Sequence, residues 1–350
     1  MFDIKTLVRA NILAMKAYSS ARDEFKGEAS IFVDANENNL GSLAKDQSFN
    51  RYPDPYQHKV KTKLAPIKGV KPEQIFLGNG SDEAIDLLIR LVCKPGHDEV
   101  LAFGPTYGMY DVSANLNDVH LRQLRLDQDF QLQIASLQGQ IHANTKIIFI
   151  CSPNNPTGNL INAKSIEYIL RNFDGLVVID EAYIDFASEP SWTSRLAEFP
   201  NLVVLQTFSK AWGMAALRLG MAFASPEIIS FLNKIKPPYN INEATQSLAL
   251  EALDNANRLP EMVKEINQSR NKLMEDLPKL PVVKKVYPSD ANFILVEVTD
   301  ADKVYHYLLE KGIVIRNRTT QPGCHNCVRI SVGTRAENEA LLEALNAFSE

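Results

Sequence analysis

Lys210 closes the segment Thr207-Phe208-Ser209-Lys210, which follows the apolar run Leu202 to Gln206. A lysine at a strand end beside hydroxyl groups could form an imine with a carbonyl compound. The amine must be partly unprotonated for that, and desolvation or nearby cations favour the neutral form. Arg218 follows eight residues later, beyond Gly213. Thr207, Ser209 and Arg218 could converge on one phosphate, the planar guanidinium adding charge-assisted contacts. Any single lysine is more often a surface charge; the combination argues for chemistry.

A second group lies in Val177-Val178-Ile179-Asp180-Glu181-Ala182-Tyr183, where carboxylates follow an apolar strand candidate. Ligands of open α/β sheets gather outside the carboxyl ends of strands. Asp180 could there hold a pyridinium N–H, keeping such a ring protonated and able to accept electrons. The alternatives are a solvated strand end or a Mg²⁺ ligand, and the lack of a phosphate-loop lysine weakens the second.

Gly78-Asn79-Gly80-Ser81-Asp82-Glu83 sits between a strand and a helix, where a tight turn and free helix N–H groups suit a phosphate. It is not a dinucleotide fingerprint, because Glu83 occupies the third glycine position, and no Gly-Lys-Ser/Thr makes it a P-loop. A plain helix start capped by Ser81 would use the same residues. Cys151-Ser152-Pro153-Asn154-Asn155-Pro156-Thr157-Gly158 ends another strand, with proline and glycine fixing a turn that offers the Asn155 amide. An ordinary turn could do the same.

Cys324-His325-Asn326-Cys327 is the remaining candidate. A zinc site needs about four ligands and no second Cys-x-x-Cys exists. A redox motif should open a helix, whereas β-leaning Val328-Arg329-Ile330 follows. The expectation is a loop before a strand, with no metal.

These residues need an alternating scaffold to position them. From about 75 to 225, strand candidates Ile75–Leu77, Val100–Phe103, Ile147–Cys151, Val177–Asp180, Val203–Gln206 and Met221–Ala224 alternate with helical patterns such as Ile85, Leu88, Ile89 and Val92. The runs Ile147–Ile150 and Leu176–Ile179 are apolar without alternation, as in strands covered on both faces. A helix-covered, mostly parallel sheet follows. After Pro237-Pro238 the pattern changes. Helices near Ala244–Leu253, Glu261–Leu277 and Asp302–Lys311, strands Phe293–Val298, Ile313–Ile315 and Val328–Ser331, and a last helix from Arg335 read as a smaller α+β domain. The expected division is an arm and helix over 1–30 packing with the smaller domain, a large domain over 31–240 and a small one over 241–350.

With 350 residues, 45% of them hydrophobic, the chain can bury two cores. A net charge of -5 without a basic block gives no footing to a nucleic-acid partner. No apolar run reaches the ~20 residues of a membrane span, and the N-terminus lacks a signal-peptide layout. Sparse cysteines suit a reducing cytoplasm.

Together these pieces resemble the fold-type I aminotransferases. Gly80-Ser81-Asp82-Glu83, Pro105-Thr106-Tyr107, Asn155-Pro156-Thr157-Gly158, Asp180-Glu181-Ala182-Tyr183, Ser209-Lys210, Arg218 and Arg329 follow the family's order over nearly the whole chain. Within that family the chain is most similar to the histidinol-phosphate aminotransferases. That likeness rests on Tyr18 to Arg22, Asn36-Glu37-Asn38, Arg51-Tyr52-Pro53-Asp54, Pro105 to Tyr110, Cys151 to Gly158, Asp180 to Phe186 and Val328 to Thr334. Two segments depart from the pattern: Asn38-Asn39-Leu40, where proline or an aromatic is frequent, and the loop Asn317 to Cys327.

The resemblance implies a homodimer using pyridoxal 5'-phosphate, with Lys210 as Schiff-base lysine and proton shuttle. Asp180 would pair with the pyridine nitrogen, Asn155 and Tyr183 would bond the phenolic oxygen, and Tyr107 would stack on the ring. Ser81, Asp82, Thr207, Ser209 and Arg218 would surround the phosphate, joined by Tyr52 from the partner subunit. Arg316 and Arg329 would bind substrate anions and Tyr18 would close over the substrate. The implied reaction converts L-histidinol phosphate and 2-oxoglutarate to imidazole-acetol phosphate and L-glutamate, in histidine biosynthesis. Threonine-phosphate decarboxylase, or another amino-acid aminotransferase, would use the same scaffold. A non-catalytic cofactor-binding regulator usually adds a DNA-binding segment, for which 350 residues leave no room.

Overall fold

A computed structural model describes residues 2–18, 30–44, 49–137 and 139–348. Its centre is a seven-stranded sheet in the order β1-β7-β6-β5-β4-β2-β3. The strands are β1 (Ile75–Asn79), β2 (Glu99–Gly104), β3 (His120–Arg125), β4 (Thr145–Cys151), β5 (Leu176–Asp180), β6 (Leu202–Thr207) and β7 (Leu219–Phe223). Neighbours run parallel except at β7, which is antiparallel to both β1 and β6. Every residue of β5 and β6 is buried, the result of two apolar layers. One layer gathers Ile148, Ile150, Val177, Ile179 and Val204; the other gathers Ile147, Phe149, Val178, Val203 and Leu205. Side chains alternate across a strand, so a strand apolar at every position must be covered on both sides.

Helix Gly80–Val92 lays Ala84, Ile85, Leu88, Ile89 and Val92 on that second layer. Truncating Leu88, fully buried there, to alanine should cost about 2–5 kcal/mol. The strand β3 escaped sequence reading because it is a polar edge strand, His-Leu-Arg-Gln-Leu-Arg, with no fully buried residue.

The smaller domain has a four-stranded antiparallel sheet, order β10-β11-β9-β8. Its strands are β8 (Val283–Val286), β9 (Phe293–Val298), β10 (Arg316–Asn317) and β11 (Cys327–Ser331). Helices Leu259–Asp276, Ala301–Glu310 and Arg335–Asn346 contribute Leu273, Val304, Leu308, Leu341 and Leu345 to its core. Thr334 and Glu337 close a capping box at the start of the last helix. The expected strand Ile313–Ile315 does not pair; Val314 is exposed and the ladder begins at Arg316.

Two domain expectations differ from the structure. The arm over 1–30 was expected to pack with the smaller domain, but its described part sits on the larger one. Ile4, Val8 and Ile12 are buried with Leu88 and Ile228, and the Arg9 N–H donates to the Leu91 carbonyl at 3.1 Å. The apolar spacing of these residues matches the back of helix Gly80–Val92. Ser19 to Ala29 lie outside the described residues. The second difference is at the 240/241 boundary: helix Glu243–Asp254 places Ala249 and Leu253 in the large-domain core with Val60 and Leu64 of helix His58–Lys68.

The domains meet at a seam of Tyr183, Phe186 and Ala211 against Ala291 and Phe293. Polar ties cross it, including Asp290 N–H to the Gly158 carbonyl at 2.7 Å and Asn267 Nδ2 to the Phe186 carbonyl at 3.0 Å. Among the described residues no helix is long and apolar enough to cross a membrane.

Candidate active site

Parallel register sets the site. Cys151 at the end of β4 lies opposite Asp180 at the end of β5, and Asp180 lies opposite Leu205 of β6. The chain therefore leaves three adjacent strands at one edge, next to the start of helix Gly80–Val92. One pocket there is lined by Ser81, Asp82, Tyr107, Asn155, Asp180, Tyr183, Thr207, Ser209, Lys210 and Arg218, together with Gly80, Cys151 and Ala182.

Asp180 is 2% exposed. Its Oδ2 accepts from the Tyr110 hydroxyl at 2.8 Å and its Oδ1 from the Ala182 N–H at 3.1 Å. Burial pushes its carboxyl up to about 6, against the pull of those two hydrogen bonds. No cation pairs with it directly among the described residues. Tyr110 is held for this contact by stacking on Phe149, ring centroids 4.7 Å apart. The neighbouring Tyr107 meets Tyr110 edge-on at 5.7 Å and donates its hydroxyl to Asp82 Oδ1 at 3.0 Å. Burial, then the Asp82 charge, raise the Tyr107 phenol above its usual value.

Lys210 reaches into the same space, its Nζ 5.4 Å from the Tyr183 ring centroid. Much of its surface is open to the pocket, yet the protein packed around the head group lowers its proton affinity, and the charges of Arg329 and Arg218 lower it further while Asp180 opposes them. An amine so placed is easier to use as a base or nucleophile. Tyr183 packs edge-on against Phe293 at 5.0 Å, and burial raises its phenol.

The anion cradle depends on close backbone approach. Gly80 has φ +73°, and a Cβ on Gly220 of β7 would lie 2.1 Å from the Ser81 nitrogen. The Gly80 N–H is taken by the Arg218 carbonyl at 2.5 Å, while the N–H groups of Ser81 and Asp82 stand in the first helical turn, where no intrahelical acceptor exists. Arg218, itself at φ 53°, brings its guanidinium to 3.5 Å from Asp82 Oδ2. The helix thus begins at Gly80 with Asn79 in the capping position, and Ser81 lies inside the first turn, not at the cap that a plain helix start would have given it.

The turn after β4 works as a pair of amides. Asn154 is buried and donates to the Pro105 carbonyl at 2.9 Å and to Thr157 Oγ1 at 2.8 Å. Asn155 is left to face the pocket, and its Oδ1 accepts from Arg329 Nη1 at 2.5 Å. Arg329 lies 5.0 Å over the Phe293 ring, and its buried Nε has no partner.

Four expected residues do not line this pocket: Arg329 borders it through Asn155, and Tyr52, Tyr18 and Arg316 lie elsewhere. Tyr52 is half exposed and stacks on Tyr239, centroids 4.6 Å apart, while its N–H donates to Glu37 Oε1 at 2.7 Å. Tyr18 is exposed at the edge of the described arm. Arg316 is exposed and pairs across the hairpin with Arg329. Sequence reading missed the role of Tyr110, which stands in the first turn of helix Met109–Leu116, three residues after Tyr107, and it did not single out Arg318. Cys324 and Cys327 are free, fully buried and packed in the core, and Cys327 opens β11. A roomier hollow of about 630 Å³ opens beside Glu181 and Trp192, where two of the charged side chains are already engaged. Glu181 accepts from Ser191, Trp192 and Gln206, and Arg195 pairs with Glu167 and Glu198.

Residues 23–345 match the family described as aminotransferase class I and II. The histidinol-phosphate aminotransferase of Cytophaga hutchinsonii is 56% identical over 347 residues, covering 99% of both chains. The chain belongs to the histidinol-phosphate aminotransferase family of class I and II aminotransferases. The enzyme of that name from Parabacteroides distasonis is 54% identical, again over 99% of each chain. In structure, the histidinol-phosphate aminotransferase of Clostridium acetobutylicum superposes with a TM-score of 0.78 at 26% identity, covering 85% of this chain and 90% of that one. Family membership and the large-plus-small domain layout agree.

Proposed function

We propose that this aminotransferase uses pyridoxal 5'-phosphate to convert L-histidinol phosphate and 2-oxoglutarate into imidazole-acetol phosphate and L-glutamate. The observation that carries the reading is the pocket where a desolvated amine, Lys210, and a buried carboxylate lacking a cation, Asp180, stand beside an anion cradle. Likeness to the relatives over the full chain supports the choice of substrate.

The residues fit that cofactor. A buried carboxylate without a cationic partner suits a protonated pyridine nitrogen, and the N–H groups of Ser81 and Asp82 with Thr207, Ser209 and Arg218 suit a phosphate. Tyr107 offers an aromatic wall, while Asn155 and Tyr183 offer polar groups for the ring's phenolic oxygen. When bound, the cofactor supplies an electron sink for a carbanion. Lys210 Nζ accepts the proton from the donor's α-carbon and returns it, a task its lowered proton affinity favours. Arg316 and Arg329 bind substrate anions, with the buried Arg329 Nε free to donate. Closure of the arm would bring Tyr18 over the donor.

A homodimer in the cytoplasm completes the reading, with Tyr52 serving the phosphate site of the other subunit. Its support is the placement of Tyr52 outside its own pocket, beside exposed Phe49 and Leu248. The deciding assay supplies purified protein with histidinol phosphate and 2-oxoglutarate. Glutamate formation is expected; no glutamate here, with CO₂ released from threonine phosphate in a parallel assay, would make it a decarboxylase instead.

A further inference from the structure

The loop Asn317 to Cys327, one of the two segments that depart from the family's pattern, carries a further arginine, Arg318. Arg318 follows β10, and its N–H donates to the Cys327 carbonyl at 2.8 Å, extending the hairpin by one more bond. From there the chain closes on itself. Gln321 N–H donates to the Arg318 carbonyl, Cys324 N–H to Gln321 and Cys327 N–H to Cys324, at 2.9, 3.0 and 3.0 Å. The two thiols at the centre of this ring are fully buried beside Phe130. Arg318 is thus held by a compact, anchored loop.

Side chains two apart share a strand face. Arg316 and Arg318 therefore point to one side of the hairpin, and Arg329 lies opposite Arg316 in register. Asn317 turns the other way, donating to Asp302 Oδ1 at 2.6 Å. Three guanidinium groups gather on one face. The charged and titratable groups felt by Arg318 are Arg316, Cys324 and Tyr183, and burial is the first cause lowering its proton affinity. Among the described residues none of the three arginines pairs with a carboxylate, and the hydrogen bond made by the Arg318 side chain is a long one, 3.4 Å, to its own neighbour's carbonyl.

Like charges placed opposite each other on a hairpin are destabilising, and a desolvated cation without an anion costs free energy. A bound anion offsets both. A carboxylate brings one negative charge, whereas a phosphomonoester carries about -1.5 to -2 at pH 7. Two arginines suffice for the first; the third matches the second.

We propose that Arg318 is a specificity-determining residue, the third guanidinium that makes this face prefer a phosphomonoester dianion to a carboxylate. The inference rests on the reading that one pocket serves a phosphorylated donor and a dicarboxylate in turn. Arg329 and Arg316 read either anion, and Arg318 adds contact to the phosphate.

The test compares wild-type holoenzyme with Arg318→Gln and Arg318→Lys. Steady-state kinetics with histidinol phosphate, histidinol and glutamate run beside competitive inhibition by propyl phosphate, with propionate as the carboxylate control. Loss of one charged contact of about 1.5–3 kcal/mol means roughly a ten- to hundred-fold fall. Arg318→Gln should show it in kcat/KM for histidinol phosphate, mainly through KM, and in propyl phosphate affinity at pH 7.5. Histidinol, glutamate and propionate should change by less than about threefold, since each lacks the second charge at one centre. The gap between wild type and variant should narrow at pH 5.5, below the phosphate's second pKa of about 6. Arg318→Lys, which keeps the charge and loses the fork, should fall between. Equal losses for propyl phosphate and propionate, or no loss for either, would overturn the assignment. If wild type does not turn over histidinol phosphate, the proposed reaction fails, while the phosphate–carboxylate comparison still decides the role of Arg318.

Discussion

Arg329 of β11 donates from Nη1 to Asn155 Oδ1 at 2.5 Å, joining the smaller domain to the turn that follows β4 of the larger one. The bond leaves the Arg329 Nε buried and unpartnered. An anion arriving there would meet a guanidinium already aimed by a pocket-facing amide.

Arg329→Lys keeps the charge but cannot hold Asn155 and an anion together. Its kcat/KM should fall roughly ten- to a hundred-fold for glutamate and histidinol phosphate alike. Arg316→Ala, on the exposed strand, should hurt histidinol phosphate more than a small unphosphorylated amine. Equal falls for both donors in the Arg316 variant would mark that residue as structural.

Lys210→Ala should abolish transamination while pyridoxal phosphate still binds through Asp180 and the anion cradle. Borohydride treatment followed by peptide mapping should fix cofactor to Lys210 in wild type and leave the variant unlabelled. Lys210 is the only lysine between Lys164 and Lys234, so labelling elsewhere would reassign the site to a distant segment.

Asp180→Asn should slow α-proton removal far more than it weakens cofactor retention. It also makes a pH prediction for the cofactor-free protein. Folding raises the Asp180 carboxyl from 3.8 to about 6, so the folded state holds the extra proton between those values. Its contribution to stability is full below about pH 4 and is lost as pH rises through about 6. Cofactor-free Asp180→Asn should therefore melt above cofactor-free wild type at pH 8, and the gap should close towards pH 4. A gap that widens on acidification would contradict the sign.

Tyr52 can be tested by complementation. Mixed Tyr52→Ala and Lys210→Ala subunits should regain activity if each subunit lends Tyr52 to its neighbour's site. Persistent inactivity, after labelled subunits are seen to exchange and Tyr52→Ala alone is inactive, would return Tyr52 to packing on Tyr239.

Much of the large domain was legible because burial on both faces leaves an unmistakable pattern: β4 and β5 are continuous apolar runs, and Asp180 stands where one of them stops. The edge strand β3 was not, since an edge alternates weakly and His120, Arg122 and Arg125 are as polar as a loop. The arm was misplaced because Ile4, Val8 and Ile12 announce an apolar face without saying which surface receives it. Tyr110 and Arg318 were passed over for a related reason. Tyr110 matters through Asp180, 70 positions away, and Arg318 through the hairpin that sets Arg329 opposite Arg316.

The antiparallel β7 has one more consequence, for the order in which the site assembles. Thr207 pairs with Gly220 and Phe208 N–H donates to the Leu219 carbonyl at 3.0 Å, so Lys210 and Arg218 both ride on one short reversal of the chain. Asp82, which meets the Arg218 guanidinium, comes from 136 positions away. Loop-closure entropy grows slowly with length, about 0.6 kcal/mol per doubling, and contacts close in sequence tend to form first. The amine and the arginine can thus be set beside each other by a hairpin alone, and the helix N-terminus docks onto a half-built anion site. A one-residue insertion in this reversal would displace both groups at once, which makes it the segment of the pocket least tolerant of a change in length.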